Sequence, residues 1–167
     1  AETLEQEGAN IIYTVRSQKR HTDLLALKPC AEVVICDFEK AQDIHSLRSY
    51  LENKENNSIH GVLHSIAFAN YSKGLKSFHE TNVKDYLQAT QISCFSLVEL
   101  DNACKSALQK DASIVTIGIS SIDVTAENYG YMAPIKASLE ANVRYLAKSF
   151  SSFSSVRFNS VNAGPLK

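Results

Sequence analysis

The stretch Tyr129-Gly-Tyr-Met-Ala-Pro-Ile-Lys136, continuing as Ala-Ser-Leu-Glu-Ala-Asn-Val-Arg-Tyr145, decides the reading of this chain. It joins a phenol, a lysine seven residues later and a long helical pattern. Seven residues is close to two helical turns, which predicts one helix through 129–136 with phenol and ammonium on one side of it. A phenol beside a fixed cation is a good hydrogen-bond donor to a developing oxyanion. Taken singly, the same two residues read more simply as a core tyrosine and a surface lysine. Pro134 falls early in the predicted helix, where a missing backbone donor costs least.

Working outward from this helix, short β-branched runs alternate with helical patterns. Strands are predicted over residues 9–15, 31–37, 59–67, 113–117 and 155–161. Residues 1–7 read as the end of a helix stopped by Gly8. A basic polar segment, Arg16-Ser-Gln-Lys-Arg-His21, follows the first strand, and residues 22–27 are compatible with a helix. Residues 42–53 carry Ile44, Leu47 and Leu51 at helical spacing. A long helix is predicted over 83–108, with Val83, Leu87, Gln91, Cys94, Val98 and Leu108 near one face. This alternation implies a single α/β domain over 1–167, a Rossmann-like doubly wound parallel sheet covered by helices on both faces. In such sheets ligands bind off the carboxyl ends of the strands.

Composition agrees with an ordinary globular domain: 167 residues, 44% hydrophobic and 21% charged. The formal net charge of −1 offers no basic field for nucleic acid. No apolar run is long enough to span a bilayer. The four cysteines form no Cys-x-x-Cys pair, so neither a metal site nor a redox dithiol is expected. Cys36, Cys94 and Cys104 lie in apolar patterns and read as core thiols in a reducing compartment, the cytoplasm by default.

Five strings together resemble the enoyl-acyl-carrier-protein reductases, the divergent branch of the short-chain dehydrogenases/reductases. They are Gly8-Ala-Asn with Tyr13-Thr14, Cys36-Asp37, His64-Ser-Ile-Ala-Phe-Ala69, residues 129–147, and Val156-Arg-Phe-Asn-Ser-Val-Asn-Ala-Gly-Pro165. The ordinary branch has Tyr-x-x-x-Lys, whereas the residue four before Lys136 is Met132. Tyr129, Met132 and Lys136 fit the divergent pattern.

The resemblance implies reduction of the trans-2 double bond of an enoyl-acyl-carrier-protein thioester in fatty acid biosynthesis, with NADH or NADPH and in a homotetramer. Tyr129 would donate to the thioester oxygen and Lys136 to the nicotinamide ribose. Asp37 and Phe38 would hold the adenine end, although a strand-end aspartate equally suits a turn or cap. Ser65, Ile66 and Ala67 would line the cofactor, or form a plain apolar strand end. Gly164, Pro165 and Leu166 would pass under the nicotinamide, where a slim backbone fits, or make a simple turn. Ala69, Ile119 and Tyr129 would face substrate. Arg16, Ser17, Lys19 and Arg20 carry no acid among them, which favours the 2′-phosphate of NADPH; a solvated basic loop reads the same way.

Two positions depart from the family pattern. Ile119 stands where many members have a second tyrosine, and it cannot donate a hydrogen bond. Pro134 lies where small flexible residues are usual. Two rivals follow: a carbonyl reductase using Ser120 or Ser121, and a non-catalytic nucleotide-binding homologue. The chain also opens without the Gly-rich turn and first strand of such a sheet and stops at Lys167. This predicts an internal piece of a longer protein, with the missing strand lying between residues 9–15 and 59–67.

Overall fold

A computed structural model describes residues 1–54, 58–120, 125 and 130–164. The chain divides into two compact units, Ala1–Tyr50 and Leu51–Lys167.

The first unit contains α1 (Glu2–Gln6), β1 (Ile12–Val15), α2 (Gln18–Leu27), β2 (Glu32–Ile35) and most of α3 (Ala41–Glu52). Gly8 ends the α1 turn at φ +87°, a conformation that glycine adopts without steric cost. β1 and β2 pair in parallel, with Ile12 opposite Glu32 and Val15 opposite Ile35. The α2 helix begins earlier than expected. Ser17 is its N-cap, accepting a hydrogen bond from the Arg20 N–H at 3.4 Å. Lys19, Arg20 and His21 are therefore helical and do not form a loop.

The second unit contains β3 (Ile59–His64), a 3₁₀ turn (Phe78–Glu80), α4 (Val83–Thr90), a π-helical turn (Gln91–Phe95), α5 (Ser96–Cys104), β4 (Leu108–Ile117), α6 (Met132–Phe150) and β5 (Arg157–Val161). Its sheet has the order β3-β4-β5, all parallel, with His64 opposite Thr116 and Ile117 opposite Val161. Both sheets are wholly parallel, as an alternation of strands and helices requires. Among the described residues β1 pairs only with β2, and β3 only with β4.

Three expectations about this unit are corrected. The helix predicted over 83–108 is interrupted by the π turn and ends at Cys104, and Leu108 opens β4. Val83 and Leu87 are 67% and 61% exposed, whereas Ala89, Ser93, Leu97, Leu100 and Asp101 are buried. A π turn carries an extra residue and rotates the inward face, so the apolar period on one side of it does not continue on the other. The second correction concerns the helix predicted through 129–136, which among the described residues begins only after Tyr131. Gly130, at φ +56°, and Tyr131 make a turn, and α6 begins at Met132. Pro134 then falls at the third helical position, where its N–H would have had no partner within the helix. Thirdly, β4 starts five residues before the predicted Ser113.

Candidate active site at the carboxyl ends of the strands

Lys136 lies in the second turn of α6 and is buried. Its Nζ donates to the Ile117 carbonyl at 2.7 Å and to the Ile66 carbonyl at 3.3 Å. Those carbonyls end β4 and follow β3, so the ammonium sits at the carboxyl edge of the three-stranded sheet. Burial lowers its pKa below the ordinary lysine value. An ammonium has three donors, and among the described residues these two carbonyls are its acceptors. Its phenolic partner from the sequence, Tyr129, lies outside the described residues, as do Pro165, Leu166 and Ser121.

The carbonyl of Ile66 belongs to a segment, residues 65–70, that is held repeatedly along its backbone. The Ser93 hydroxyl accepts from the Phe68 N–H at 2.8 Å and donates to the Phe68 carbonyl at 2.9 Å. The Tyr131 hydroxyl accepts from the Asn70 N–H at 2.9 Å and donates to the Asn70 carbonyl. Residues 66, 68 and 70 are thus gripped by α6, the π turn and the turn before α6. Ser65 and Ala67, expected to line a cofactor, are exposed beside these anchored positions, and Ala69 is half-buried.

Beneath this segment, His64 is fully buried between two hydroxyls. Its Nδ1 lies 2.8 Å from Thr116 Oγ1 and its Nε2 lies 2.8 Å from Ser96 Oγ. Burial, and then the Lys136 charge, push its pKa down to about 4, so the ring is neutral near pH 7. The network ties β3 to β4 and to the start of α5 immediately before Ser65.

In the first unit, Arg16 is exposed beyond the end of β1 and has no partner among the described residues. It lines an open hollow with Val15, Arg20, Asp23, Leu24 and Leu27. Asp37 follows β2 and acts as a turn residue: its Oδ1 accepts from the Glu39 N–H at 3.2 Å, and its Oδ2 lies 3.4 Å from Lys40 Nζ. Phe38 is buried, at 6% exposure.

Two glycines at strand ends differ in what they accommodate. A methyl at Gly118, just after β4, would fall 2.1 Å from Asn162 Oδ1 and 2.6 Å from Ser160 Oγ, so the protein's own side chains occupy that space. A methyl at Gly164 would meet Ser120 at 3.8 Å, an ordinary contact. Nothing in the described chain requires glycine at 164. Ile119 is half-buried and Ser120 exposed.

Sequence reasoning assigned no role to His64, Ser93, Ser96 or Tyr131. Two signals were present. Ser93 and Ser96 are small hydroxyls three apart within an otherwise apolar helical pattern, and buried hydroxyls need partners. His64 lies inside an apolar strand string.

The chain is similar to known proteins along its whole length. The family described as enoyl-(acyl carrier protein) reductase matches residues 1–167. The NADH-dependent enoyl-acyl-carrier-protein reductase of Rickettsia prowazekii is 31% identical over the whole chain, which spans 64% of that relative. The NADPH-dependent enzyme of Staphylococcus aureus is 32% identical, again over the whole chain and 66% of the relative. The chain thus spans about two-thirds of the length of these curated relatives. The crystal structure of the Aquifex aeolicus NADH-dependent enzyme superposes with a TM-score of 0.87 at 28% identity, covering 99% of this chain and 66% of that one. A Bacillus cereus enzyme solved with NADP+ superposes at 0.79 and 30% identity, covering 93% of this chain and 61% of that one. This chain, an α/β protein with parallel sheets, belongs to the enoyl-acyl-carrier-protein reductase family.

Proposed function

We propose that the protein reduces the trans-2 double bond of an enoyl-acyl-carrier-protein thioester in fatty acid biosynthesis, using NADPH or NADH. The observation that carries this reading is the buried Lys136 ammonium, fixed at the sheet edge by the carbonyls of Ile66 and Ile117. It is the one member of the Tyr-x-x-Met-x-x-x-Lys pattern whose function needs a buried charge, and the chain supplies two acceptors to hold it.

The described residues fit a nicotinamide nucleotide. Among the described residues Lys136 keeps one donor for a ribose hydroxyl, and their packing does not explain a glycine at 164. When bound, the nicotinamide supplies a hydride to the β-carbon of the enoyl thioester. Negative charge then builds on the thioester oxygen, where the Tyr129 hydroxyl would donate; such a preorganised donor is worth about 3 kcal/mol of barrier. A proton from solvent at the α-carbon completes the saturated thioester. The positive charge on Lys136 favours that hydroxyl as a donor. Ile66 would meet cofactor beside the exposed Ser65 and Ala67, while Ala69 and Ile119 would face substrate. Pro165 and Leu166 would pass beneath the nicotinamide with Gly164. In the first unit Asp37 and Phe38 would hold the adenine end. Because the Phe38 ring is buried, its backbone would make that contact.

NADPH is the preferred cofactor in this reading. Arg16 is an exposed guanidinium with no partner among the described residues, a ready counterion for a 2′-phosphate. We also read residues 1–167 as part of one nucleotide-binding domain of a cytoplasmic homotetramer. The exposed Val83, Leu87 and Phe95 along α4 and the π turn, with Tyr145 on α6, support the assembly.

The test is a pair of assays on the intact protein, following nicotinamide oxidation with crotonyl and with acetoacetyl thioester. Turnover with the crotonyl thioester at least tenfold above the other is expected. Preference for acetoacetyl thioester, or cofactor binding without turnover of either, would overturn the reading.

A further inference from the structure

The Tyr131 hydroxyl is doubly engaged in a way its ring does not require. The ring is buried, at 3% exposure, against Tyr71 with centroids 5.0 Å apart and against Tyr86 at 5.7 Å. That packing alone would serve a phenylalanine. The hydroxyl instead closes both backbone groups of Asn70, accepting from its N–H at 2.9 Å and donating to its carbonyl. Gly130, at φ +56°, lies so close beneath Tyr71 that a methyl there would meet Tyr71 Oη at 2.8 Å. The turn of Gly130 and Tyr131 is thereby seated on Asn70 and Tyr71. Asn70 is fixed on its other side, its Nδ2 donating to Gln88 Oε1 at 2.9 Å, and Asp85 Oδ2 accepts from the Ser72 N–H at 2.9 Å.

One phenol therefore joins two stretches that the proposed reaction uses separately. On one side is the backbone of residues 65–70. On the other is the turn leading into α6, two residues along the chain from Tyr129 and five from Lys136. We infer that Tyr131 is a positioning residue. Its hydroxyl couples the segment 65–70 to the turn before α6, so that the segment proposed to face cofactor and substrate and the turn that follows the proposed oxyanion donor keep one mutual geometry. The inference rests on the proposed enoyl reduction for its kinetic consequence, whereas the coupling itself stands on the contacts alone. A misplacement of about 1 Å in such a constellation costs of the order of a hundredfold in rate.

Removing the hydroxyl while keeping the ring tests it in the intact protein. Tyr131→Phe should lower kcat/KM for crotonyl thioester by about 10- to 100-fold, with the nicotinamide-cofactor Kd within about twofold of wild type. Tyr86→Leu, which removes ring packing only, should lower Tm without that split. Amide hydrogen exchange supplies a readout independent of the reaction. Ser93→Ala frees Phe68, and in wild-type background it should speed exchange at Gly130 and Tyr131 as well as at 66–70. In a Tyr131→Phe background the added Ser93→Ala change should no longer reach residues 130 and 131. If Ser93→Ala affects 130 and 131 equally in both backgrounds, or in neither, the coupling is refuted, whatever the protein catalyses. If the wild type turns over crotonyl thioester and Tyr131→Phe leaves kcat/KM unchanged, the positioning role is refuted. A wild type inactive on enoyl thioesters would reject the proposed reaction, and the exchange result would still decide the coupling.

Discussion

Beyond β3, three side chains from three elements hold the backbone: Lys136 at Ile66, Ser93 at Phe68 and Tyr131 at Asn70. Beyond β1, the chain passes at once to the exposed Arg16 and the cap at Ser17, and its charges meet one another only at the surface, as between Arg20 and Asp23 at 4.0 Å. The first region spends buried polar groups on its own backbone, and each such group is costly to leave unpaired. The second spends exposed charges whose mutual attraction is worth little in water. An internally held segment has its geometry set before any ligand arrives. An exposed basic segment has no such internal constraint. Substitutions in the first region should therefore act on turnover, and those in the second on the choice of cofactor.

The largest effect should come from Lys136→Met, which keeps the apolar stem and removes the donors. The carbonyls of Ile66 and Ile117 lose their partner, and kcat/KM should fall about a thousandfold with weakened cofactor binding. Steady-state kinetics beside cofactor titration checks this; a drop below tenfold would mean that the ammonium is structural. Tyr129→Phe comes next. Turnover should fall about 100-fold or more, with cofactor Kd within about twofold, because the hydroxyl meets charge that develops in the transition state.

The interior of the second unit can be probed through α5 as well. Asp101 is fully buried, and neither carboxyl oxygen has a hydrogen-bond partner among the described residues. Burial pushes its pKa up to about 8, so the carboxyl is mainly protonated at neutral pH. Unfolded, it titrates near the ordinary value of about 4. The folded state therefore holds the proton more tightly, and this carboxyl's contribution to stability is fully present below pH 4 and is lost as pH rises toward 8. Between pH 6 and 8 the wild type should lose about 2 kcal/mol more than Asp101→Ala, as read from denaturant unfolding at each pH. Parallel pH profiles would show that the carboxyl has a partner. The smallest effect belongs to the exposed region. Arg16→Ala should weaken NADPH about tenfold and leave NADH unchanged. Equal effects on both would show that the guanidinium does not read the ribose phosphate.

The same contrast explains what was legible in the sequence. Strands such as Ser113-Ile-Val-Thr-Ile117 announce themselves because four β-branched residues follow one another, Ile114 to Ile117. Lys136 was legible because a motif fixed its distance from Met132. Tyr131 was hidden because its role depends on a backbone partner 61 residues away, which no local pattern encodes. The π turn was hidden because an inserted residue shifts the helical phase, so Val83 and Leu87 were assigned to the face that Ala89 and Ser93 occupy. The start of α2 was missed for a simpler reason. Its first turn is basic and polar, and the cap at Ser17 outweighs that composition.

The most direct test of the proposed chemistry follows one atom. The intact protein is given crotonyl thioester and a nicotinamide cofactor deuterated at the transferring position of C4, and the product is read by mass spectrometry and NMR. Deuterium at the β-carbon of a saturated butyryl thioester is the predicted result. Deuterium on a carbinol carbon when acetoacetyl thioester is supplied, with none transferred to crotonyl thioester, would contradict the account and assign the site to carbonyl reduction.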